Sequence, residues 1–541
     1  MAEQNETHGF LDAVGLAFMA RRLHYHRVRA AAVRELKGVS ANDPGARSAS
    51  HDAERTARLS IVIMVVGSRG DVQPFIPIGR RLAKLHRIRI ATHREFRPLV
   101  EQAGLEFYPL AGDPHELMEY MVKTRGRVIP TRLDQIVEDV PRKRGLIAEI
   151  LASTWRACTE ADPDRPNAPA FRADAILANP PSYGHIHCAE ALHVPLHMIF
   201  TMPWSPTSAY PHPFWHIAPG GKHPVQNFLS YGLMDLLIWS GIGDLVNAFR
   251  QDTLNLPPLT LVDGASLLED NEVPFTYLWP ASLVPRPADW DPHIDLANFT
   301  FLDQAQTYEP PRALLEFLAA GEAPIYVGFG SVTVDNPAAV TRTIFAAIEK
   351  AGARAIVADG WAHLGGETLP PNVFLIGDCP HDWLFARCRA VCHHGGAGTT
   401  AAGLRAGLPT VVVPSFGDQF FWGQVVANAG AGPEPIPIDR LDSAALADAF
   451  AMCRRPEMRE HARALGARLR ETDGVELVVQ SVYRQLPTET AMGQAFYVDW
   501  SARPATGVVG ELGELMADAA TALQAGLEEL VPALGSRASD D

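Results

Sequence analysis

Cysteine is scarce in this chain. Six cysteines in 541 residues, with no C-x-x-C pair among them, give neither a disulfide framework nor zinc-finger spacing, so free thiols in a reducing interior are expected. The nearest approach to a metal cluster is Cys388, Cys392, His393 and His394. It lacks the repeated paired ligands of a zinc site, and no metal is expected there. Uninterrupted apolar runs of about 18 residues are missing too, so no membrane span is expected. Glu3 and Glu6 precede a weak apolar segment, which is not a secretory pattern, and a cytoplasmic location is the expectation. Positive charge is in deficit: 47 Lys and Arg against 62 Asp and Glu leave a net charge of −15, which argues against general nucleic-acid binding. A G-x-G-x-x-G fingerprint is absent from the two glycine loops, Gly67–Val72 and His393–Thr400, which argues against a nicotinamide dehydrogenase.

What is present describes a soluble globular protein, with 47% hydrophobic and 20% charged residues. The length exceeds one ordinary domain of ~100–250 residues and implies at least two. The most informative stretch is Val391–Gln419, VCHHGGAGTTAAGLRAGLPTVVVPSFGDQ. Ala390-Val391-Cys392 reads as a strand, then come a glycine loop, a helix over Ala401–Ala406 stopped by Gly407 and Pro409, and a strand over Thr410–Val413. Glycines between a strand end and a helix start let backbone N–H groups approach an anion, and the helix terminus adds unpaired donors. His394, Thr399 and Thr400 add side-chain donors, so the loop suits a phosphate or pyrophosphate. Asp418 and Gln419 would lie past the C-terminal end of the next strand, where open parallel sheets bind ligands, and can hold several hydroxyls such as a sugar presents.

HHGGAGTTAAGLRAGLPTVVVPSFGDQFFWG resembles the nucleotide-sugar signature of the UDP-glycosyltransferases, most closely the sterol glucosyltransferase branch. The resemblance spans roughly Leu59 to Pro487. It implies the GT-B fold, two Rossmann-like α/β domains of doubly wound parallel sheet facing across a cleft. It divides the chain into a basic helical extension and linker (1–58), an acceptor-binding domain (59–305), a UDP-sugar-binding domain (306–487) and an acidic helical extension (488–541). The resemblance implies that Gly330, Ser331, His394, Gly396, Ala397, Gly398 and Thr399 hold the diphosphate. Cys379 and Pro380 lie where the uracil is received, and Asp418 and Gln419 hold the sugar. Two positions depart from plant members: Asp378 stands where they have a tryptophan, leaving Trp383 or Trp361 as stacking candidates, and Ala402 stands where many hold the ribose with a glutamate.

Leu59–Val66 reads as a buried parallel strand, followed by GSRGDVQP, a helix from Phe75 to Leu85 and a strand over Ile88–Thr92. GSRGDVQP, ATHREF and LEFYPLAGDP resemble the same branch. Asp71 corresponds to the plant catalytic histidine, which implies the role of general base. A helix N-cap is the other reading of this residue, and the two are compatible. Ser68 and Arg69 are placed beside the donor, with Arg69 free to neutralise phosphate or to hold Asp71. ADAILAN (Ala173–Asn179) and Leu196–Phe200 read as strands, and Thr201–Pro206 begins a loop rich in large side chains. Met202, Trp204, Tyr210 and Phe214 suit a flat apolar alcohol; ordinary core is the other reading.

Asp162-Pro163-Asp164 and Asp289-Trp290-Asp291 are formally D-x-D but sit in proline-rich loops, and no metal is expected on them. Phe10–Lys37 has helical spacing with six basic residues. It suits either a membrane surface or the protein's own surface. Gly510–Leu534 also has helical spacing and is acidic, so pairing with the basic segment is open. The resemblance implies metal-independent, inverting transfer of a hexose, expected to be glucose from UDP-glucose, to a sterol or similar lipid alcohol, with no cofactor beyond the donor. Transfer to a polyketide or other aglycone, or a non-catalytic sugar-nucleotide- or lipid-binding role, are the alternatives.

Overall fold

The computed structural model describes residues 58–116, 119, 140–215, 224–330, 336–360, 364 and 369–486. The helices expected in both terminal segments, and Ser331 and Trp361, lie outside them.

Valine- and isoleucine-rich runs buried on both faces make parallel strands. The first sheet contains β1 (Ser60–Met64), β2 (Arg87–His93), β3 (Glu106–Leu110), β4 (Ala175–Ala178), β5 (Leu196–Phe200), β6 (Phe275–Tyr277) and β7 (Ile294–Leu296). Its order is β3-β2-β1-β4-β5-β6-β7, and every pairing is parallel. The second sheet contains β8 (Ile325–Gly328), β9 (Ala355–Ala358), β10 (Val373–Ile376), β11 (Ala390–His393) and β12 (Thr410–Val412), ordered β10-β9-β8-β11-β12 and again parallel. Each sheet reverses its winding once, between β1 and β4 and between β8 and β11. Ligands of open parallel sheets bind outside the strand ends at such a point. The loops after β1 and β11 are the two glycine loops singled out from the sequence.

The helices that matter for the site are α1 (Arg69–Val72), α2 (Phe75–Leu82), α3 (Val140–Thr159), α4 (His185–Leu192) and α5 (Pro224–Ala248) in the first domain. In the second they are α6 (Pro337–Lys350), α7 (His381–Leu384), α8 (Ala397–Arg405), α9 (Gln419–Asn428), α10 (Ser443–Met452), α11 (Pro456–Arg470) and α12 (Gly474–Gln485). α12 crosses back onto the first domain. Its Val478, Val479 and Val482 join the core of β1 and α2, and Glu476 pairs with Arg81 at 3.0 Å. A second apolar cluster runs through both domains: Trp422 of α9 meets Trp279 (ring centroids 6.0 Å apart) and Phe299 (5.7 Å).

The proline-rich stretch after Leu278 holds the three-residue strand β7, the edge of the first sheet. Pro224–Thr253 is long and apolar enough to cross a membrane by length and composition, although the sequence has no uninterrupted apolar run. It packs on the first domain and ends in a π-helical turn, where the buried Arg250 reaches Glu190 of α4 at 2.6 Å and the Pro257 carbonyl at 2.8 Å.

Candidate active site

The loop after β1 is built around Asp71. Asn179, at the end of β4, accepts from the Val66 N–H at 3.1 Å and donates to the Val66 carbonyl at 2.8 Å, which fixes where the chain leaves the sheet. Gly67 follows with φ +143°. A Cβ there would lie 2.4 Å from Asp71 Oδ2, so only glycine leaves room for the carboxylate. The Ser68 N–H donates to Asp71 Oδ2 at 2.7 Å and the Ser68 hydroxyl donates to the same oxygen at 3.1 Å. Asp71 is thus the third residue of α1 and closes its N-terminus. The N-cap expected at Asp71 is corrected: Ser68 is the N-cap, and Asp71 answers it from the third helical position through Oδ2, while Oδ1 has no hydrogen-bond partner among the described residues. Burial pushes the carboxyl up from the usual range, against the opposing pull of the Ser68 hydrogen bonds.

Asp418, the residue before α9, makes no capping bond to its own helix. Its carboxyl is pushed up to about 7, by burial first and by the charge of Asp71 second. The two carboxyls, one from each domain, therefore lie within electrostatic reach of one another. Gln419 is buried, and its Oε1 accepts from the Ser415 N–H at 2.7 Å and the Phe416 N–H at 3.3 Å. That oxygen shapes the loop; only the amide nitrogen is left for a ligand.

The loop after β11 has the form of an anion cradle. The fully buried His393 accepts from the Gly395 N–H at 3.0 Å through Nδ1. Gly395 has φ +96°, and a Cβ on it would meet the Gln419 carbonyl at 2.9 Å, so the loop closes on α9 only with glycine. Gly396 is the extended cap of α8 without a side-chain bond, so the N–H groups of Ala397, Gly398 and Thr399 are left at the helix end. The His394 ring covers Gly330, where a Cβ would lie 3.1 Å from Cε1, and its buried Nδ1 has no partner among the described residues. Burial, with His381 nearby, lowers its basicity to about 4. The ring is neutral near pH 7.

Arg69 does not pair with Asp71; its Nη1 donates to Asp378 Oδ2 at 2.7 Å, from one domain to the other. Cys379 is buried beside Trp383, so its side chain is core, while Pro380 caps α7. Trp383 is core as well, with the Arg387 guanidinium 3.9 Å over its ring, which leaves it poorly placed to stack on a base.

The large side chains after β5 form one wall. Trp204, Tyr210 and Phe214 are half-buried, and Met202 is buried in the same apolar cluster. Trp204 and Phe214 meet edge to face at 6.1 Å. Tyr277 Oη fastens the loop by accepting from the N–H groups of Trp204 (3.1 Å) and Ser205 (2.6 Å), and Asp289 accepts from the Ser208 N–H at 2.6 Å. The wall reaches the second domain: a Cβ on Gly417 would lie 3.0 Å from the Phe214 ring, and Tyr210 meets Phe421 at 5.4 Å.

The D-x-D carboxylates are occupied. Asp162 and Asp164 pair with Arg97 at 2.7 and 2.6 Å, and Asp289 holds the aromatic loop. Glu95, Asp113 and His115 form an exposed cluster with metal-ligand spacing, away from these loops in sequence and not singled out before. Asn179 and Tyr277 were missed as positioning residues. The only sequence signal for Asn179 was a polar residue ending a buried strand ahead of Pro180-Pro181.

Two parallel-sheet domains, each with its glycine loop at the point where the winding reverses, define a glycosyltransferase of the GT-B fold. Residues 61–211 match the glycosyltransferase family 28 N-terminal domain, and residues 342–480 match the erythromycin biosynthesis protein CIII-like C-terminal domain. The glycosyltransferase of kitacinnamycin shares the fold, with a TM-score of 0.58 at 20% identity over 80% of this chain and 100% of that one. The calicheamicin glycosyltransferase CalG4 does so with a TM-score of 0.52 at 18% identity, over 80% and 98%. A sterol 3-beta-glucosyltransferase of Arabidopsis thaliana is 46% identical over 439 residues, 81% of this chain and 67% of that protein. A second from the same plant is 43% identical over 443 residues, 81% and 70%. One from Emericella nidulans is 38% identical over 448 residues, which are 80% of this chain and 30% of that longer protein. The chain belongs to the family of the sterol 3-beta-glucosyltransferases.

Proposed function

We propose that this enzyme transfers glucose from UDP-glucose to the hydroxyl of a sterol or similar lipid alcohol, with inversion and without a metal ion or other cofactor. The observation that carries the reading is that α1, which holds Asp71 with one carboxylate oxygen unpartnered among the described residues, packs against α8 of the other domain, while Asp418 lies close enough to feel the charge of Asp71. The acceptor body lies on Trp204, Tyr210 and Phe214, and its hydroxyl faces Asp71. As the acceptor oxygen bonds to the anomeric carbon, the bond from that carbon to the diphosphate oxygen breaks on the opposite face. The acceptor proton passes to Asp71 Oδ1, and UDP leaves. A base whose pKa is raised from the ordinary carboxylate value of about 3.9 is better matched to that proton. The leaving charge meets the α8 N-terminus, Thr399 and His394, which are fixed before reaction and need no reorganisation. Asp418 and the Gln419 amide hold sugar hydroxyls, and Arg69 sits where the two domains close.

The test is incubation with UDP-glucose and a sterol in the presence of chelator, with the product examined by NMR. A β-glucoside formed at the same rate with chelator is expected. An α-glucoside would contradict inversion, chelator-sensitive transfer would contradict metal independence, and transfer to no lipid alcohol would contradict the acceptor class.

A further inference from the structure

His212 lies in the aromatic loop and is buried. Its backbone N–H donates to Ser230 Oγ at 2.8 Å, which fixes the chain at this residue. Its ring Nδ1 accepts from the Phe214 N–H at 3.2 Å. An accepting Nδ1 carries no proton, and burial alone lowers the basicity of the ring to about 3, so the ring is neutral. The proton is therefore on Nε2. That N–H is buried and has no hydrogen-bond partner among the described residues.

A buried donor left unpaired costs about 1–3 kcal/mol and calls for a reason. Its surroundings supply one. The ring touches Trp204 (4.8 Å between centroids), Phe214 (5.4 Å) and Tyr231 (5.2 Å). Trp204 and Phe214 are half-buried members of the acceptor wall, and Phe214 abuts Gly417, the residue before Asp418. The Tyr210 hydroxyl, in the same loop, is a second buried polar group without a partner among the described residues. Apolar rings with an unpaired N–H among them complement a mostly apolar molecule that carries a hydrogen-bond-accepting oxygen.

We propose that His212 is a specificity-determining residue whose Nε2–H donates a hydrogen bond to the hydroxyl oxygen of the apolar alcohol held among Trp204, Tyr210 and Phe214, the same hydroxyl whose proton passes to Asp71. The inference rests on the acceptor class proposed above and adds the residue that recognises it. A site built around a donor discriminates strongly against a ligand that leaves the donor unpaired. The bland alternative is an N–H directed at the face of Tyr231, a weak contact that would make His212 purely structural.

The experiment compares wild type, His212→Phe and His212→Gln in sterol-dependent UDP release from UDP-glucose, with thermal melts in the presence and absence of sterol. Phenylalanine keeps an aromatic ring and removes the unpaired donor. The expected result is a loss of about tenfold or more in kcat/KM for the sterol, an unchanged KM for UDP-glucose, and a melting temperature without sterol that is equal or higher. The sterol-induced rise in melting temperature shrinks in His212→Phe, and His212→Gln recovers part of the transfer. Equal sterol kcat/KM in wild type and His212→Phe would overturn the inference. So would a variant that melts lower and loses affinity for donor and sterol in equal measure. Absence of sterol transfer by wild type would instead overturn the function proposed above.

Discussion

Arg69 and Asp378 join the two domains directly: Arg69 Nη1 donates to Asp378 Oδ2 at 2.7 Å, two residues before Asp71 in the chain. The side chains are 40% and 79% exposed, so solvent screens the pair and its worth to global stability is small. Its effect is expected in how the two domains hold the donor between them. Asp378→Asn is expected to lower kcat/KM for UDP-glucose by about two- to fivefold at low salt and to leave the melting temperature unchanged. The difference from wild type should fade as ionic strength rises. Kinetics across a salt series check this.

Gly67→Ala places a methyl 2.4 Å from Asp71 Oδ2 on a backbone at φ +143°. The carboxylate must move, and misplacing a catalytic group by about 1 Å can cost about 100-fold in rate. The expected outcome is a fall in kcat of that order, with the KM for UDP-glucose little changed, measured by steady-state kinetics.

Ser68→Ala removes one of the two hydrogen bonds that favour the charged form of Asp71. The pKa of Asp71, already raised by burial, should rise further. A base works when deprotonated, so the acid limb of the pH profile of kcat/KM is expected to move to higher pH. Rates across the pH range check the direction; a shift to lower pH would contradict the role given to Asp71.

Burial, and then the charge of Asp71, push the Asp418 carboxyl from the ordinary carboxylate range up to about 7. Its folded pKa is raised, so its contribution to stability is fully present below the unfolded value and is lost as pH rises toward 7. Asp418→Asn, which stays neutral, should gain in melting temperature over wild type progressively between pH 4 and pH 7, with a small difference below that window. Thermal melts at four or five pH values check it, and activity should fall because the sugar loses a carboxylate contact.

Much of this architecture is legible in the sequence because buried parallel strands are written as continuous apolar runs. The limits of β5, β9 and β10 coincide with the runs at Leu196–Phe200, Ala355–Ala358 and Val373–Ile376. The helix α8 begins at Ala397, four residues before the alanine-rich pattern, because Gly396 is already extended and the glycines that read as loop complete the first turn. The short strands β6 and β7 are hidden, since three residues carry too little periodicity to stand out between prolines. Within the site, residue type indicated chemistry, but partners decide how each atom is used. Gln419 spends its oxygen on the Ser415 and Phe416 amides, and Arg69 crosses to Asp378, a partner 309 positions away. Met202 and Trp383 are core because of packing that no local pattern encodes.

The central claim is that Asp71 takes the acceptor proton in a transfer from UDP-glucose. The most direct measurement is sterol-dependent UDP release by wild type and Asp71→Asn, with binding of UDP-glucose followed on the same samples. Asparagine can still receive the Ser68 N–H through its side-chain oxygen, so α1 keeps its cap while the base is lost. A drop in kcat of about 100- to 10,000-fold with donor binding retained is the expected result. Transfer by Asp71→Asn at the wild-type rate would contradict the account.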